Sequence, residues 1–162
     1  MQLSQIAKIV QCVAPIDSAA GARLGAHINM SKYDHVAFVC GFGNVANNVV
    51  VTVLAAPIST GVGGVAMAFN YRISTTGAPL ISVLEGVLTN SLAGGLTVAA
   101  ATDDDKVVVI EVDASELVAP LTNIYVGVNF AAAAVALVSC HAICMWPRYM
   151  ANAPVMPDPT VA

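Results

Sequence analysis

The sequence predicts an all-β chain: an antiparallel β-sandwich, jelly-roll-like or barrel-like, with an extended N-terminal arm and a Pro-rich C-terminal tail. Three observations predict it. Large apolar side chains recur at every second residue through several segments. The other apolar runs are rich in Val and Ile, and Gly, Asn, Asp and Pro interrupt both at short, fairly even spacing. Successive strand side chains point to opposite faces, so a period of two marks a strand with one face on a core. Branched Val and Ile suit a pleated surface. Many short strands with regular turns indicate a sandwich or barrel.

Residues 1–30 form the predicted arm, where Pro15, Gly21 and Gly25 sit among small residues with no clear period. The predicted β-domain covers residues 31–145. In residues 34–43, Val36, Phe38, Cys40 and Phe42 share one face. Turns are expected at Gly43-Asn44 and Asn47-Asn48, because glycine reaches positive φ and asparagine bonds its own backbone. Residues 65–73 read as one strand, with Val65, Met67, Phe69, Tyr71 and Ile73 on the core side. Residues 124–130 repeat the pattern, with Ile124, Val126, Val128 and Phe130 opposite Tyr125, Gly127 and Asn129.

Four segments, residues 49–54, 80–88, 106–112 and 135–145, are apolar on both faces. Such strands belong in the middle of a sandwich or where the outer face of a sheet meets another subunit. Further turns are expected at residues 57–64, 75–79, 94–95 and 103–105. Residues 113–117 read as a single helical turn joining strands. In the tail, residues 146–162, Pro147, Pro154, Pro157 and Pro159 block helix and interior strand pairing.

The 162 residues suffice for one domain with a real core. Hydrophobic residues make up 57% and charged residues 10%, against roughly 25% charged in an average domain. Surface charge keeps free monomers apart, so a covering of protein or lipid is expected. The best lipid candidate, residues 130–146, falls short of the roughly 20 residues of a spanning helix. It also contains Ser139 and His141. Protein is therefore the expected cover, and no membrane partner is predicted. The net charge is -4, and the six Lys and Arg residues are scattered from Lys8 to Arg148. Phosphate backbones are held by clustered cations, so no nucleic-acid partner is predicted. At the N-terminus, Lys8 and Gln11 interrupt any apolar stretch and no basic region precedes it. The reading is that this is not a signal peptide, which implies a cytoplasmic origin.

The catalytic templates each fail on spacing. Cys140, His141 and Cys144 tempt a zinc reading, but in a strand Cys140 and His141 face opposite ways. Cys140 and Cys144 would lie about 13 Å apart at strand rise, beyond tetrahedral reach. His141 is expected to be a buried histidine with a satisfied hydrogen bond. Cys12, Cys40, Cys140 and Cys144 are expected as buried thiols. The acidic run Asp103-Asp104-Asp105 lacks the spacing of a calcium loop and reads as a solvated turn. Residues 59–64 are glycine-rich without the Lys of a phosphate loop and read as an inter-strand loop. Nothing makes Glu85, Glu111, Asp113 and Glu116 converge as an acid–base pair. No catalytic residue, cofactor or metal is predicted, and the chain is expected not to be an enzyme.

Several stretches together resemble a known group. They are Lys32-Tyr33-Asp34-His35-Val36, and Ser59-Thr60-Gly61 leading to residues 66–72. A third is Asp104-Asp105-Lys106 followed by residues 109–117, and the last is Pro147-Arg148-Tyr149 before the Pro-rich tail. Their order, from about Lys32 to Tyr149, resembles small structural proteins encoded among the head genes of tailed phages. The resemblance implies a virion protein, a decoration or cement protein that binds assembled major capsid protein, often as a homotrimer. It implies a place on the capsid, with assembly in the host cytoplasm. It brings no catalytic residues. The competing expectations are a tail- or fibre-associated virion subunit and a carbohydrate-binding module.

Overall fold

A computed structural model describes residues 7–18, 21–74, 89–91, 93–100, 102–117, 124–131 and 136–147. The strands in chain order are β1 (Ala7–Asp17), β2 (Arg23–Leu24), β3 (Ile28–Asn29), β4 (Tyr33–Val45), β5 (Val49–Ala56) and β6 (Val65–Met67). They continue with β7 (Phe69–Ile73), β8 (Thr89–Ser91), β9 (Leu96–Val98), β10 (Val107–Asp113), β11 (Tyr125–Phe130) and β12 (Ala136–Pro147). A 3-10 turn, Ala114–Glu116, follows β10. All pairings are antiparallel.

Two sheets form. The first has the order β1-β12-β4-β10-β7-β8, and the second has the order β2-β11-β5-β6, with β3 also on β11 and β9 also on β5. Count β2 and β3 as one interrupted strand and set aside β7, β8 and β9. The eight remaining strands, numbered in sequence, then run 1-8-3-6 in the first sheet and 2-7-4-5 in the second. That is the jelly-roll order of two interlocked Greek keys.

The sheets face each other through the residues that the alternation placed inside. Val36, Phe38, Cys40 and Phe42 of β4 are buried, as are Val108, Ile110 and Val112 of β10. From the second sheet come Val49, Val51 and Val53 of β5 and Val126, Val128 and Phe130 of β11. Phe42 and Phe130 meet edge to face across the sandwich, with ring centroids 5.9 Å apart. Burying each such side chain stabilises the fold by roughly 1.5–3 kcal/mol.

Three local expectations are corrected. Residues 1–30 do not form a free arm over their described part, since β1 pairs along β12 and β2 and β3 pair with β11. Small side chains and two bulges hid this strand from a periodicity test. The extra residues are Cys12, between the pairs Gln11↔His141 and Val13↔Cys140, and one of Ala14 and Pro15, which together face Ser139. Each bulge shifts the alternation by one. Secondly, residues 65–73 are not one strand. At Ala68 the chain leaves β6 in the second sheet and enters β7 in the first, so Val65 is 60% exposed while Phe69 is 1% exposed. Thirdly, Gly43 and Asn44 do not turn the chain but form a bulge within β4 opposite Leu137. The expected elements at residues 75–79 and 80–88 lie outside the described residues, as does the tail beyond Pro147.

Candidate functional site

The outer face of the first sheet is the most distinctive surface of the molecule. Cross-strand register builds it row by row. Ile9 of β1 opposes Ile143 of β12, which opposes Ala37 of β4, which opposes Glu111 of β10. The adjacent row runs Gln11, His141, Val39, Val109 and Arg72. The face is thus mixed: Ile9, Ile143, Ala37, Val39 and Val109 are apolar, Gln11 and His141 are polar, and Glu111 and Arg72 bring charge on β10 and β7. Ile9 and Leu137 are 52% and 51% exposed, and no described element covers them. Among these strands, β10 and β12 fall in segments that the sequence reads as apolar on both faces, residues 106–112 and 135–145.

At one end of the face stands Trp146, 63% exposed, with φ 51°. Regular alternation from the buried Cys144 would aim Trp146 at the interior. The left-handed backbone instead lays the indole over His35, with ring centroids 5.3 Å apart. His35 Nδ1 lies 2.6 Å from Asp113 Oδ1. A carboxylate only accepts, so Nδ1 carries the proton in this contact. Glu116 accepts from the Asp113 N–H at 2.9 Å and fixes the 3-10 turn beneath. At the other end, Gly41 and Gly43 leave an open groove of about 320 Å³, flanked by Pro15, Leu137, Lys106 and Val107.

The second sheet is covered differently. Residues 57–64 fold back over its outer face, so that a Cβ on Gly64 would stand 3.4 Å from Leu54 Cβ and 3.5 Å from Ala56 Cβ. His27 is the wedge beneath this loop. Two residues, Ala26 and His27, oppose Gly127 alone, since Gly25 N–H bonds Val128 O and Val126 pairs with Ile28. The bulge aims the imidazole across Gly127. A Cβ at Gly127 would lie 2.6 Å from His27 Nδ1, and a Cβ at Gly61, where φ is +76°, would also run into the ring, at Cε1 and Nε2. His27 Nδ1 donates to Gly25 O at 3.0 Å, while Nε2 is buried without a partner among the described residues. Burial pulls the His27 pKa below its ordinary 6.5, partly offset by the bond to Gly25.

Cys12, Cys40 and Cys140 meet at the core, Cys144 lies farther along β12, and all four are free thiols. Cys40 and Cys140 are direct cross-strand partners, with Cys40 Sγ donating to Cys140 Sγ at 3.6 Å. The Cys12 thiol is pushed up by its hydrogen bond to Cys140 and by burial. Burial pushes Cys144 up to about 12. Cys140 and Cys144 share the inner face, whereas His141 lies on the outer one, half-buried. No three His, Cys, Asp or Glu among the described residues are placed to hold a metal.

The acidic run is a turn with Asp105 exposed, and its other two carboxylates clasp neighbouring chain. Asp103 accepts from the Ala99 N–H at 2.7 Å and from Lys106 Nζ at 2.6 Å, and Asp104 accepts from the Val45 N–H at 2.7 Å. Burial raises the Asp103 pKa, but the bonds from Lys106 and Ala99 outweigh it and hold the carboxyl below its usual value. Glu111, Asp113 and Glu116 lie along one stretch of chain, and Asp113 and Glu116 are occupied as described. Glu85 lies outside the described residues.

Neither a family model, a curated protein nor a solved structure matches the chain.

Sequence reasoning missed two features of these surfaces. Trp146 was read as the start of a tail, yet it closes β12 and stands at the end of the outer face. Gly127 was read as one of several outward residues. A lone glycine inside an alternating strand signals a close approach, and that signal was present. No helix among the described residues is long and apolar enough to cross a membrane, and within residues 130–146 the described residues apart from Ala131 are strand.

Proposed function

We propose that this chain is a structural virion protein of a tailed phage, which decorates and cements the head by bridging major capsid protein subunits and associates with its own copies as a homotrimer. The observation that carries this reading is the set of large apolar side chains left exposed on the outer face of the first sheet, Ile9 and Leu137, with Trp146 at its end. A sheet face of this kind, with only 10% charged residues in the chain, is suited to lie against protein. The jelly-roll order is consistent with the role, since viral capsid domains use it, but lectins and cupins share it, so the fold alone does not decide.

In mechanism the action is physical. Contacts between capsomers are the weak points of a shell under internal pressure. A rigid sandwich seated across them adds apolar burial at roughly 25 cal/mol per Å², less the cost of docking. Trimerisation multiplies the contacts through effective concentration. Adding the purified chain to heads that lack it tests the role. Saturable, stoichiometric binding that raises the temperature of DNA release supports it, and absence of binding overturns it. Removing residues 148–162 should lower occupancy while leaving the β-domain folded, and unchanged occupancy would remove the tail from the mechanism.

One observation favours a second reading. Trp146 stands exposed beside the His35–Asp113 pair, and an exposed indole next to polar acceptors suits a sugar ring. Quenching of Trp146 fluorescence by oligosaccharides would support a carbohydrate-binding module. Locating the chain on a tail or fibre in imaged particles would support the other virion role.

A further inference from the structure

The register of the first sheet sets two thiols directly against each other. Cys40 of β4 and Cys140 of β12 are Cα partners, with their Sγ atoms 3.6 Å apart and both residues buried. The backbone decides what such a pair can do. Phe42 N–H donates to Lys106 O on the β10 side, so Cys40, two residues earlier, also turns its hydrogen-bonding groups toward β10 and away from β12. Cys40 and Cys140 are therefore a pair without mutual backbone bonds, the arrangement that brings Cα atoms to about 4.5 Å. That separation lies within the roughly 4.4–6.8 Å span of a disulfide. Cys144 is the internal contrast, since Val36 and Lys8 stand opposite it and neither is a thiol. Cys12 differs again. It is the extra residue of a bulge in β1, at the edge of the sheet, half-buried, and its thiol is hydrogen-bonded with Cys140.

We propose that Cys40 and Cys140 are a latent oxidation site that closes to a cross-strand disulfide when the chain meets a small-molecule disulfide, with Cys12 as the thiol through which the exchange enters. Cys12 is the half-buried member of the three, whereas Cys40 and Cys140 are closed off. Cys12 Sγ gives up its proton and attacks the small disulfide, whose first half leaves as a thiolate and takes up that proton. Cys140 Sγ then displaces the second half from Cys12, and Cys40 Sγ displaces Cys12 from Cys140. Each attacking thiol passes its proton to the thiolate it releases. Two protein thiols end oxidised, one small disulfide ends reduced to two thiols, and Cys12 returns to its free form. The hydrogen bond to Cys140 and burial push the Cys12 thiol up, so closure belongs at the slow end of the minutes-to-hours range of uncatalysed exchange. The link joins residues 100 positions apart and ties β12 to β4 inside the sheet, which restricts the unfolded chain. A chain made with reduced thiols is thereby locked on reaching an oxidising medium. This site is independent of the virion role.

The test incubates the native full-length chain with oxidised glutathione at neutral pH, with reduced glutathione as the control. Remaining thiols are then alkylated in urea, and peptide mass mapping without reduction locates any link. The free thiols should fall from four to two, with a single link joining Cys40 and Cys140. The melting temperature should rise by roughly 5–15 °C. Cys12→Ser should reach the same link roughly tenfold more slowly or worse. Four free thiols after prolonged incubation, a glutathione adduct that stops at Cys12, or a link to any other cysteine overturns the site. A Cys12→Ser variant that keeps its fold by circular dichroism and closes at the wild-type rate overturns the entry role. A closed pair that leaves the melting temperature unchanged overturns the lock.

Discussion

Replacing Gly127 with alanine tests whether His27 is wedged in a site of fixed shape. The new methyl would lie 2.6 Å from Nδ1, 2.7 Å from Cε1 and 2.8 Å from Cγ of His27, where ordinary contact begins near 3.4 Å. The ring is held in place, because Gly61 also packs close to it and Nδ1 is tied to Gly25 O. Overpacking of this kind costs about 1–3 kcal/mol. A loss of about 2 kcal/mol lowers the melting temperature by roughly 4–8 °C in a chain of this size. His27→Ala alone should also destabilise, by about 2 kcal/mol, through the cavity it leaves. The double variant decides the matter. With the ring gone, the methyl at position 127 enters vacated space, so the Gly127→Ala cost should largely vanish and the coupling should reach about 1–3 kcal/mol. Urea denaturation of the four proteins measures it. Equal cost of Gly127→Ala in both backgrounds would refute the wedge.

Stability should fall as pH drops from about 7.5 to 5.5. The pKa of His27 is lowered in the folded chain, so the unfolded chain takes up its proton first. The contribution is present above 6.5 and is lost as pH falls toward the folded value. His27→Gln should flatten that slope, and an unchanged slope would clear His27 of the effect. The thiols of Cys12, Cys140 and Cys144 are pushed up in the core. A thiol reagent at neutral pH should therefore label the native chain at least tenfold more slowly than the urea-unfolded one; rapid labelling of the native chain would contradict their packing. Asp103→Ala should cost about 1–3 kcal/mol, because it strips the Ala99 N–H and Lys106 of their acceptor. A melting curve matching wild type would show the clasp to be idle.

Strand-level structure was readable wherever one residue in two carried the core. In β4 and β11 the inward sets follow from alternation alone, because each strand keeps its register long enough for the period to show; in β10 and β12, apolar on both faces, only the pairing decides which set faces inward. The extra residues in β1 defeated the same test, since bulges at Cys12 and at Ala14-Pro15 break the period twice in an 11-residue strand. The split at Ala68 was invisible for the opposite reason. The alternation continues across the crossover, and only the change of partner from β5 to β10 reveals it.

By itself, the sequence determined that the chain is all β, that its strands carry apolar residues on both faces, and that charge is too sparse for an ordinary exposed surface. These are properties of composition and period, which are local and survive without knowledge of partners. Only the tertiary structure decided which second faces remain uncovered. The loop at residues 57–64 and His27 shield the second sheet, while β1, β12 and β4 leave theirs open. Long-range pairing also gathered Cys12, Cys40 and Cys140, set His27 against Gly127, and turned Trp146 onto His35. Those contacts join residues far apart in the chain through strand order and backbone twist, neither of which a local pattern encodes.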